Sequence, residues 1–137
     1  MDSIKLSVTV PVEPKMVYQA WLNSREHSAF TNSKAEIERK VGSEFTAGDG
    51  YISGTNELLH MNKRIVQTWR TTDFSEENED STLEVRLQKV DKGTKVSIIH
   101  TGLPDNSGSE YKKSWRDHYL KPMKSYFEEK ISNNSED

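Results

Sequence analysis

Residues 110–131 read EYKKSWRDHYLKPMKSYFEEKI, and bulky apolar side chains recur in this segment every three or four positions. That spacing predicts one long amphipathic helix with a broad apolar face. The members of the apolar face are Tyr111, Trp115, Tyr119, Pro122, Met123, Tyr126 and Phe127. The opposite, charged face carries Lys113, Asp117, Lys121, Lys124 and Glu128. The helix therefore needs a large apolar partner surface elsewhere in the chain.

The sequence also predicts the ends of this helix and a bend inside it. Ser107 and Glu110 have the spacing of an N-terminal capping box, and Asn133 with Asn134 indicates the end of the helix. Pro122 removes one backbone donor from the helix interior, so we expect a bend there. A bent helix rich in aromatic residues suggests a curved partner, which in this chain should be a sheet.

Length and composition limit what the chain can be. Its 137 residues suffice for one domain with one core, which we place at residues 1–131, followed by a disordered polar tail over residues 132–137. The net charge of -3 and the scattered Lys and Arg give no electrostatic case for a nucleic-acid partner. The absence of cysteine excludes disulfides and thiol catalysis. With no signal peptide and no run near the roughly 20 apolar residues of a membrane span, we expect a cytoplasmic protein.

Alternating apolar residues predict strands in most of the remaining chain. The first strand runs from Ile4 to Val10. Two short helices follow, from Pro14 to about Leu22 and from Asn23 to about Phe30. About six consecutive strands come next, marked by Ala35 and Ile37, Phe45, Tyr51, Ile65 to Arg70, Leu83 to Leu87, and Val96 to His100.

Turn residues separate these strands and suggest an antiparallel meander. Gly48, Asp49 and Gly50 supply the positive-φ positions of a hairpin turn, and Gly54 suggests a bulge or tight bend in the next strand. The buried face of the strand over residues 65–70 stays open, because both of its alternating sets contain apolar residues. The element order indicates an α+β fold in which the long helix covers one face of the sheet.

These segments resemble a known family. The chain is similar to the START-like, or SRPBCC, superfamily, with its Bet v 1-like helix-grip fold, and within it to the C-terminal domain of the activator of the heat-shock protein 90 ATPase. One departure is Ser43, where many members carry a second glycine. The resemblance covers residues 3 to about 130 and is carried by Glu26-His27, Phe30-Thr31, Ala35-Glu36-Ile37, Val41-Gly42, Phe45, Asp49-Gly50-Tyr51, Gly54, Ile65 to Arg70, His100-Thr101-Gly102, Pro104, Trp115, Tyr119, Pro122-Met123 and Tyr126-Phe127.

The resemblance implies a curved antiparallel sheet of about six to seven strands wrapped around the C-terminal helix, with an apolar cavity between them. Members of the wider superfamily bind lipids, sterols or polyketides, and a few are cyclases or hydrolases. In the eukaryotic co-chaperone this domain is the C-terminal half of a two-domain protein. We expect this chain to lack the N-terminal half, which binds the chaperone.

Three functions remain open on these grounds. The first is non-catalytic binding of a small apolar molecule, such as a lipid, an aromatic or a polyketide-like compound, between sheet and helix. The second is a co-chaperone-like interaction module that regulates the heat-shock protein 90 ATPase, and the third is a polyketide cyclase-type enzyme. We expect no cofactor and no metal, because the four histidines lack the short spacing of paired ligands. No catalytic residue is assigned.

The expected cavity lies where the long helix bends at Pro122. Apolar walls would favour an apolar ligand, and tyrosine hydroxyls and His100 would orient it. The same aromatic residues can equally be ordinary core, and His100 can be a core histidine with hydrogen-bond partners. The nine predicted lining residues are Trp21, Phe30, Phe45, Tyr51, Trp69, His100, Trp115, Tyr119 and Met123.

Overall fold

The computed structural model, which describes residues 1–135, has a six-stranded antiparallel sheet that curves around the C-terminal helix. Its strands are β1 (Asp2–Val10), β2 (Glu44–Ala47), β3 (Ile52–His60), β4 (Arg64–Thr71), β5 (Ser81–Val90) and β6 (Gly93–Leu103). They lie in the order β1-β6-β5-β4-β3-β2. Consecutive strands from β2 to β6 are neighbours, which confirms the meander, and β1 closes the far edge by pairing with β6.

The helical elements are two short helices after β1 and a long C-terminal segment. They are α1 (Pro14–Trp21), α2 (Ser24–Thr31), α3 (Gly108–Trp115), a π-helical turn (Arg116–Leu120) and α4 (Lys121–Ser135). None of the helices within residues 1–135 combines the length and the apolar character that a membrane crossing requires. The predicted α+β helix-grip architecture is confirmed.

The N-terminal third matches the sequence prediction closely. Alternation in β1 leaves Ile4, Leu6 and Val8 half-buried and Val10 fully buried. Pro14 occupies the first turn of α1, where its missing N–H has no helical partner to lose. The Asn23 side chain accepts a hydrogen bond from the Glu26 N–H at 2.9 Å, so Asn23 caps α2 as predicted.

The strand predicted at residues 35–37 is wrong, because within residues 1–135 only one bridge, between Glu36 and Thr46, links this segment to the sheet. On the other side of residues 35–37, two serines of α2 supply the hydrogen bonds that a neighbouring strand would make. The Ser28 hydroxyl accepts from the Ala35 N–H at 2.9 Å, and the Ser24 hydroxyl accepts from the Ile37 N–H at 2.8 Å. These bonds fasten the segment to α2 and give both serines a structural role.

The hairpin turn and the bend in β3 appear where glycine predicts them. Gly48, Asp49 and Gly50 all have positive φ, and β3 begins after Tyr51, which therefore belongs to the turn. A Cβ on Gly54 would overlap the Thr68 carbonyl oxygen, so only glycine allows β4 to approach this closely. The pairing register then shifts between Asn56 and Leu58. Such a bulge increases the bend of the sheet.

The buried face of β4 is now defined: Ile65, Gln67, Trp69 and Thr71 point inward. The face is half polar, which explains why apolar periodicity alone left it open. Val66 and Thr68 are only half-buried. The inward faces of the next two strands are as predicted and carry Leu83, Val85, Leu87, Val96, Ile98 and His100.

The C-terminal helix keeps its predicted faces but differs in its interior and at both ends. The segment before Pro122 is a π turn, in which the Lys121 N–H reaches back five residues to the Arg116 carbonyl. The predicted Ser107 capping bond is absent within the described chain; the Ser107 hydroxyl donates to Pro104 instead. Asp2, the first residue of β1, caps α3 instead of Ser107: its carboxylate accepts a hydrogen bond from the Gly108 N–H at 2.8 Å.

At its other end the helix extends beyond the predicted stop at Asn133 and Asn134. Helix α4 continues to Ser135, so the polar tail expected from residue 132 is helical over its first four residues. The prediction for residues 136–137 lies outside the described residues.

Candidate functional site

Six of the nine predicted lining residues meet in one aromatic cluster between the sheet and the C-terminal helix: Trp21, Phe30, Trp69, His100, Trp115 and Tyr119. Trp115 of α3 is at its centre. Its ring centroid lies 6.2 Å from that of Trp21, 5.7 Å from Trp69 and 4.6 Å from Tyr119. Phe30 packs against Trp21 and Tyr119 in the same cluster. These rings fill most of the space in which the sequence predicts a deep cavity.

His100 connects this cluster to the sheet through a chain of buried hydrogen bonds. The Trp115 indole N–H, which can only donate, lies 3.0 Å from His100 Nδ1, so that nitrogen must be the acceptor. The proton therefore sits on Nε2, which donates to the Ser81 hydroxyl at 2.7 Å. Ser81 in turn donates to the Trp69 carbonyl at 2.6 Å. Burial lowers the pKa of His100 to about 3, so the ring stays neutral.

His27 makes the corresponding link between α2 and the C-terminal helix. Its Nδ1 lies 2.8 Å from the Trp21 carbonyl oxygen, which can only accept, so Nδ1 carries the proton. The Tyr119 hydroxyl then donates to His27 Nε2 at 2.9 Å. Burial lowers the pKa of His27 to about 4, although the bond to Trp21 works against this shift. Burial also raises the pKa of Tyr119. Both groups are therefore neutral near pH 7.

A third chain of polar groups runs inside the sheet. The Trp21 indole N–H donates to Gln67 Oε1 at 3.3 Å, and Gln67 Nε2 donates to Asn56 Oδ1 at 2.8 Å. Asn56 then donates to the Glu38 carbonyl oxygen at 2.8 Å. Trp21, Gln67 and Asn56 each have a hydrogen-bond partner in this series, so the half-polar face of β4 carries little desolvation penalty.

A cleft of about 480 Å³ opens beside the aromatic cluster, between the C-terminal helix, the end of α2 and the turn before β3. We call it the aromatic cleft. Its floor consists of the buried side chains of Ile52, Trp69, Trp115 and Tyr119. Its rim is more exposed and mostly polar, and comprises Thr31, Asn32, Ser33, Gly48, Tyr51, Tyr111, Ser114 and His118.

Two tyrosines stiffen the rim where the sheet meets α3. The Tyr51 hydroxyl donates to Asp73 Oδ2 at 2.6 Å, and burial together with this bond raises the pKa of Tyr51. The Tyr111 hydroxyl lies 2.8 Å from the Thr71 hydroxyl. Because both phenol groups already have partners, their rings present fixed apolar faces to the cleft.

Four of the nine predicted residues line the aromatic cleft: Tyr51, Trp69, Trp115 and Tyr119. Trp21, Phe30 and His100 lie behind its floor as parts of the aromatic cluster. Met123 is fully buried in the core, and Phe45 lines a different surface depression. The opening is therefore next to Ser114 and Tyr119 rather than at Pro122.

Several residues that matter here were missed by the sequence reasoning. Tyr111 was placed on the apolar helix face but not at the site. Thr31, Ser33 and Ser114 gave no local signal, because small hydroxyl residues are common at helix ends and surfaces. As a possible site residue His27 was considered only as a metal ligand, and its partner Tyr119 lies 92 positions away.

The chemistry of the cleft itself is limited. Its floor offers apolar ring surface, and its rim offers hydroxyl groups, one amide and the His118 imidazole as hydrogen-bonding groups. The two histidines with strongly lowered pKa, His27 and His100, are not among the lining residues. Within residues 1–135 no three His, Asp or Glu side chains converge as metal ligands would. The arrangement suits binding of an apolar molecule better than proton transfer.

Comparison with known proteins places this geometry in a family. The family model for "Activator of Hsp90 ATPase homolog 1-like protein" matches residues 11–128. The activator of 90 kDa heat shock protein ATPase homolog of Dictyostelium discoideum is 29% identical over 126 residues, which are 91% of this chain and 33% of that protein. The chain spans about a third of the length of the curated relatives it matches.

Two solved structures share the fold at lower identity. An HSP90 activator from Plasmodium falciparum is 24% identical with a TM-score of 0.81, over 90% of this chain and 94% of that one. DynU16, from the dynemicin biosynthetic locus, is 16% identical with a TM-score of 0.78, over 93% of this chain and 48% of that one. Because the family model covers most of its length, the chain belongs to the family of activator of Hsp90 ATPase homolog 1-like proteins.

Proposed function

We propose that this protein binds a small aromatic or acyl molecule in the aromatic cleft without transforming it. The observation that carries the proposal is the buried aromatic floor, Trp69, Trp115 and Tyr119, at the bottom of an opening of about 480 Å³. That volume is within the range of small-molecule sites, which are mostly apolar with a few polar groups at the edge.

The contacts of the cleft support a planar apolar ligand in particular. Offset or edge-to-face stacking on Trp69 and Trp115 adds to the general gain of about 25 cal/mol per Å² of apolar surface removed from water. Ser114 and His118 at the rim can orient a hydroxyl, carbonyl or carboxylate group of the ligand. The floor is already held in place by the hydrogen bonds of His100 and His27, so little reorganisation is needed on binding.

The position of the titratable groups supports the non-catalytic part of the proposal. An acid or base with a displaced pKa is expected inside the cavity of an enzyme. Here the displaced histidines lie behind the cleft floor, and the Tyr119 hydroxyl is engaged with His27. A polyketide cyclase-type function therefore has less support than non-catalytic binding of a ligand.

The proposal is tested by titrating the protein with prodan, a neutral fluorescent dye, while recording tryptophan quenching. Ser114→Phe places a ring over the cleft and should weaken binding at least about tenfold, since it displaces the ligand from the apolar floor. Ser125→Phe is the matched control, because Ser125 is exposed on α4 and outside the cleft. It should bind prodan as the unmodified chain does. Non-saturable binding, or equal binding by both variants, would refute the site.

A second candidate function is favoured by the family itself. The curated relatives are named as activators of the 90 kDa heat shock protein ATPase, and this chain matches about a third of their length. We expect the chain alone to stimulate the chaperone ATPase weakly or not at all, because most of the relatives' length has no counterpart in the matched region. The ATPase rate of purified chaperone is measured with increasing protein. A saturable several-fold rise would contradict this expectation and favour the co-chaperone function.

A further inference from the structure

The opposite end of the sheet carries a second opening, which we call the basic cleft. It has a volume of about 870 Å³ and lies between the β3–β4 turn, the end of β5 and the start of α1. Strand β3 spans the distance between the two sites, since Ile52 at its start lines the aromatic cleft and His60 at its end lines the basic one. The cationic lining residues are Lys15, Lys63, Arg64, Arg86 and Lys89.

This concentration of positive charge opposes the overall charge of the chain, which is -3. Arg64 and Arg86 are direct cross-strand partners, and His60 is opposite Arg64 on the other side. Like charges placed directly opposite each other destabilise a sheet. The pairing therefore has a cost that an uncharged residue at either position would avoid.

One carboxylate reduces that cost and fixes both guanidinium groups. Arg86 Nε lies 2.6 Å from Glu84 Oε2, and Arg64 Nη2 lies 3.3 Å from Glu84 Oε1. Burial acts to raise the pKa of Glu84, but the hydrogen bonds and charges of Arg86 and Arg64 outweigh it and lower the pKa. Glu84 is thus charged near neutral pH, and it holds two cations with a single negative charge.

Three of the five cations, Arg86, Lys15 and Lys63, have side-chain donors without a partner within residues 1–135. Arg86 uses only Nε, and within residues 1–135 its two terminal nitrogens have no hydrogen-bond or ion-pair partner. Over the same part of the chain Lys15 and Lys63 form no ion pair, whereas Lys89 pairs with Glu13. Glu13 and Glu84 together leave the five cations with an excess of three positive charges.

We propose that the basic cleft docks an acidic segment of a partner protein, whose carboxylates bind Arg86, Lys63 and Lys15. The free fork of Arg86 matches a carboxylate with two parallel hydrogen bonds. No Trp, Tyr or Phe lines the cleft, so it lacks the stacking surface that single-stranded nucleic acids use.

The proposal is tested by recording amide NMR spectra of the full chain during titration with an unlabelled deca-glutamate peptide. We expect saturable, salt-sensitive shifts concentrated at residues 13–15, 60–64 and 86–89. Arg86→Gln and Lys63→Gln should each weaken binding about threefold, as loss of one exposed ion pair implies, and together about tenfold. Lys112→Gln, an exposed lysine of α3 outside the cleft, removes the same charge and should leave binding unchanged.

Three outcomes would overturn the proposal. The first is the absence of saturable shifts at low salt. The second is an equal loss of affinity in Lys112→Gln, which would mean that the peptide senses only net charge. The third is tighter binding of a single-stranded RNA or of phosphatidylserine vesicles at the same residues, which would assign the cleft to another class of partner. Because prodan is uncharged and its proposed site is the aromatic cleft, failure of this test would leave the aromatic-cleft proposal unaffected.

Discussion

Tyr119 has two functions in one side chain. Its ring forms part of the floor of the aromatic cleft, while its hydroxyl points inward and donates to His27 Nε2. His27 is 2% exposed, so no water competes for that nitrogen. The pair therefore fastens α2 to the C-terminal helix at the point where the cleft opens.

Tyr119→Phe should lower the free energy of unfolding by about 1–3 kcal/mol, because it leaves the buried His27 nitrogen without a donor. Tyr126→Phe is the control. The Tyr126 hydroxyl donates to Glu26 at 3.2 Å near the surface, where water can replace it, so its loss should cost less than about 1 kcal/mol. Urea denaturation of the three proteins gives both values. Equal losses in the two variants would mean that the His27 contact has no special importance.

Neither member of this pair could be matched to the other from the sequence. Tyr119 was predicted correctly as a residue of the buried helix face, because three- and four-residue spacing reports which way a side chain points. Hydrogen bonding depends instead on contacts between distant segments, and the four histidines offer no local sign of which are buried. The hydrogen bonds of His100 could not be predicted for the same reason, since its partners Ser81 and Trp115 come from β5 and α3.

The C-terminal helix illustrates what periodicity predicts and what it omits. Its apolar and charged faces were predicted correctly, and the irregularity was predicted near Pro122. The π turn places one extra residue in the segment before Pro122, and Leu120 becomes buried beside Tyr119. On a regular helix Leu120 falls at the edge of the charged face, near Lys113 and Lys124, so the apolar periodicity did not select it.

The strands were predictable where one face is purely apolar, as in β1 and β5. Strand β4 was not, because its inward face contains Gln67 between Ile65 and Trp69. The buried Gln67 is compatible with the core only because Trp21 and Asn56 satisfy its amide. The error at residues 35–37 has a related cause, since serines of α2 supply hydrogen bonds that the pattern assigns to a strand.

The overall architecture was predictable from element order, but the position and depth of the cleft were not. A bent helix on a curved sheet leaves some space unfilled, and the sequence placed that space at Pro122. The volume is instead divided by large rings: Trp21, Trp115 and Phe30 occupy the interior, and the remaining opening lies beside Ser114 and Tyr119. The position of the unfilled space depends on how the large side chains pack against one another in three dimensions, which the sequence pattern does not give.

The two buried histidines also affect the stability of the whole molecule toward acid. In the folded protein each ring has an acceptor nitrogen that faces a donor, the Trp115 indole for His100 and the Tyr119 hydroxyl for His27. A proton added there would place a donor against a donor and a charge in the core. This agrees with the direction in which burial lowers both pKa values, to about 3 and about 4.

We therefore expect the free energy of unfolding to fall as the pH is lowered from about 6.5 to about 4. Over most of this range the unfolded chain binds a proton at each of these histidines and the folded chain stays largely unprotonated there, so acid favours the unfolded state. Each should contribute about 3 kcal/mol by pH 4, a large share of a typical total of about 5–15 kcal/mol. Urea denaturation at several pH values gives the slope. His27→Gln should roughly halve it even if the variant is less stable overall, whereas His60→Gln, at an exposed position, should leave it unchanged. A flat profile in the unmodified chain, or the same slope in His27→Gln, would show that these histidines are not the groups that couple folding to pH.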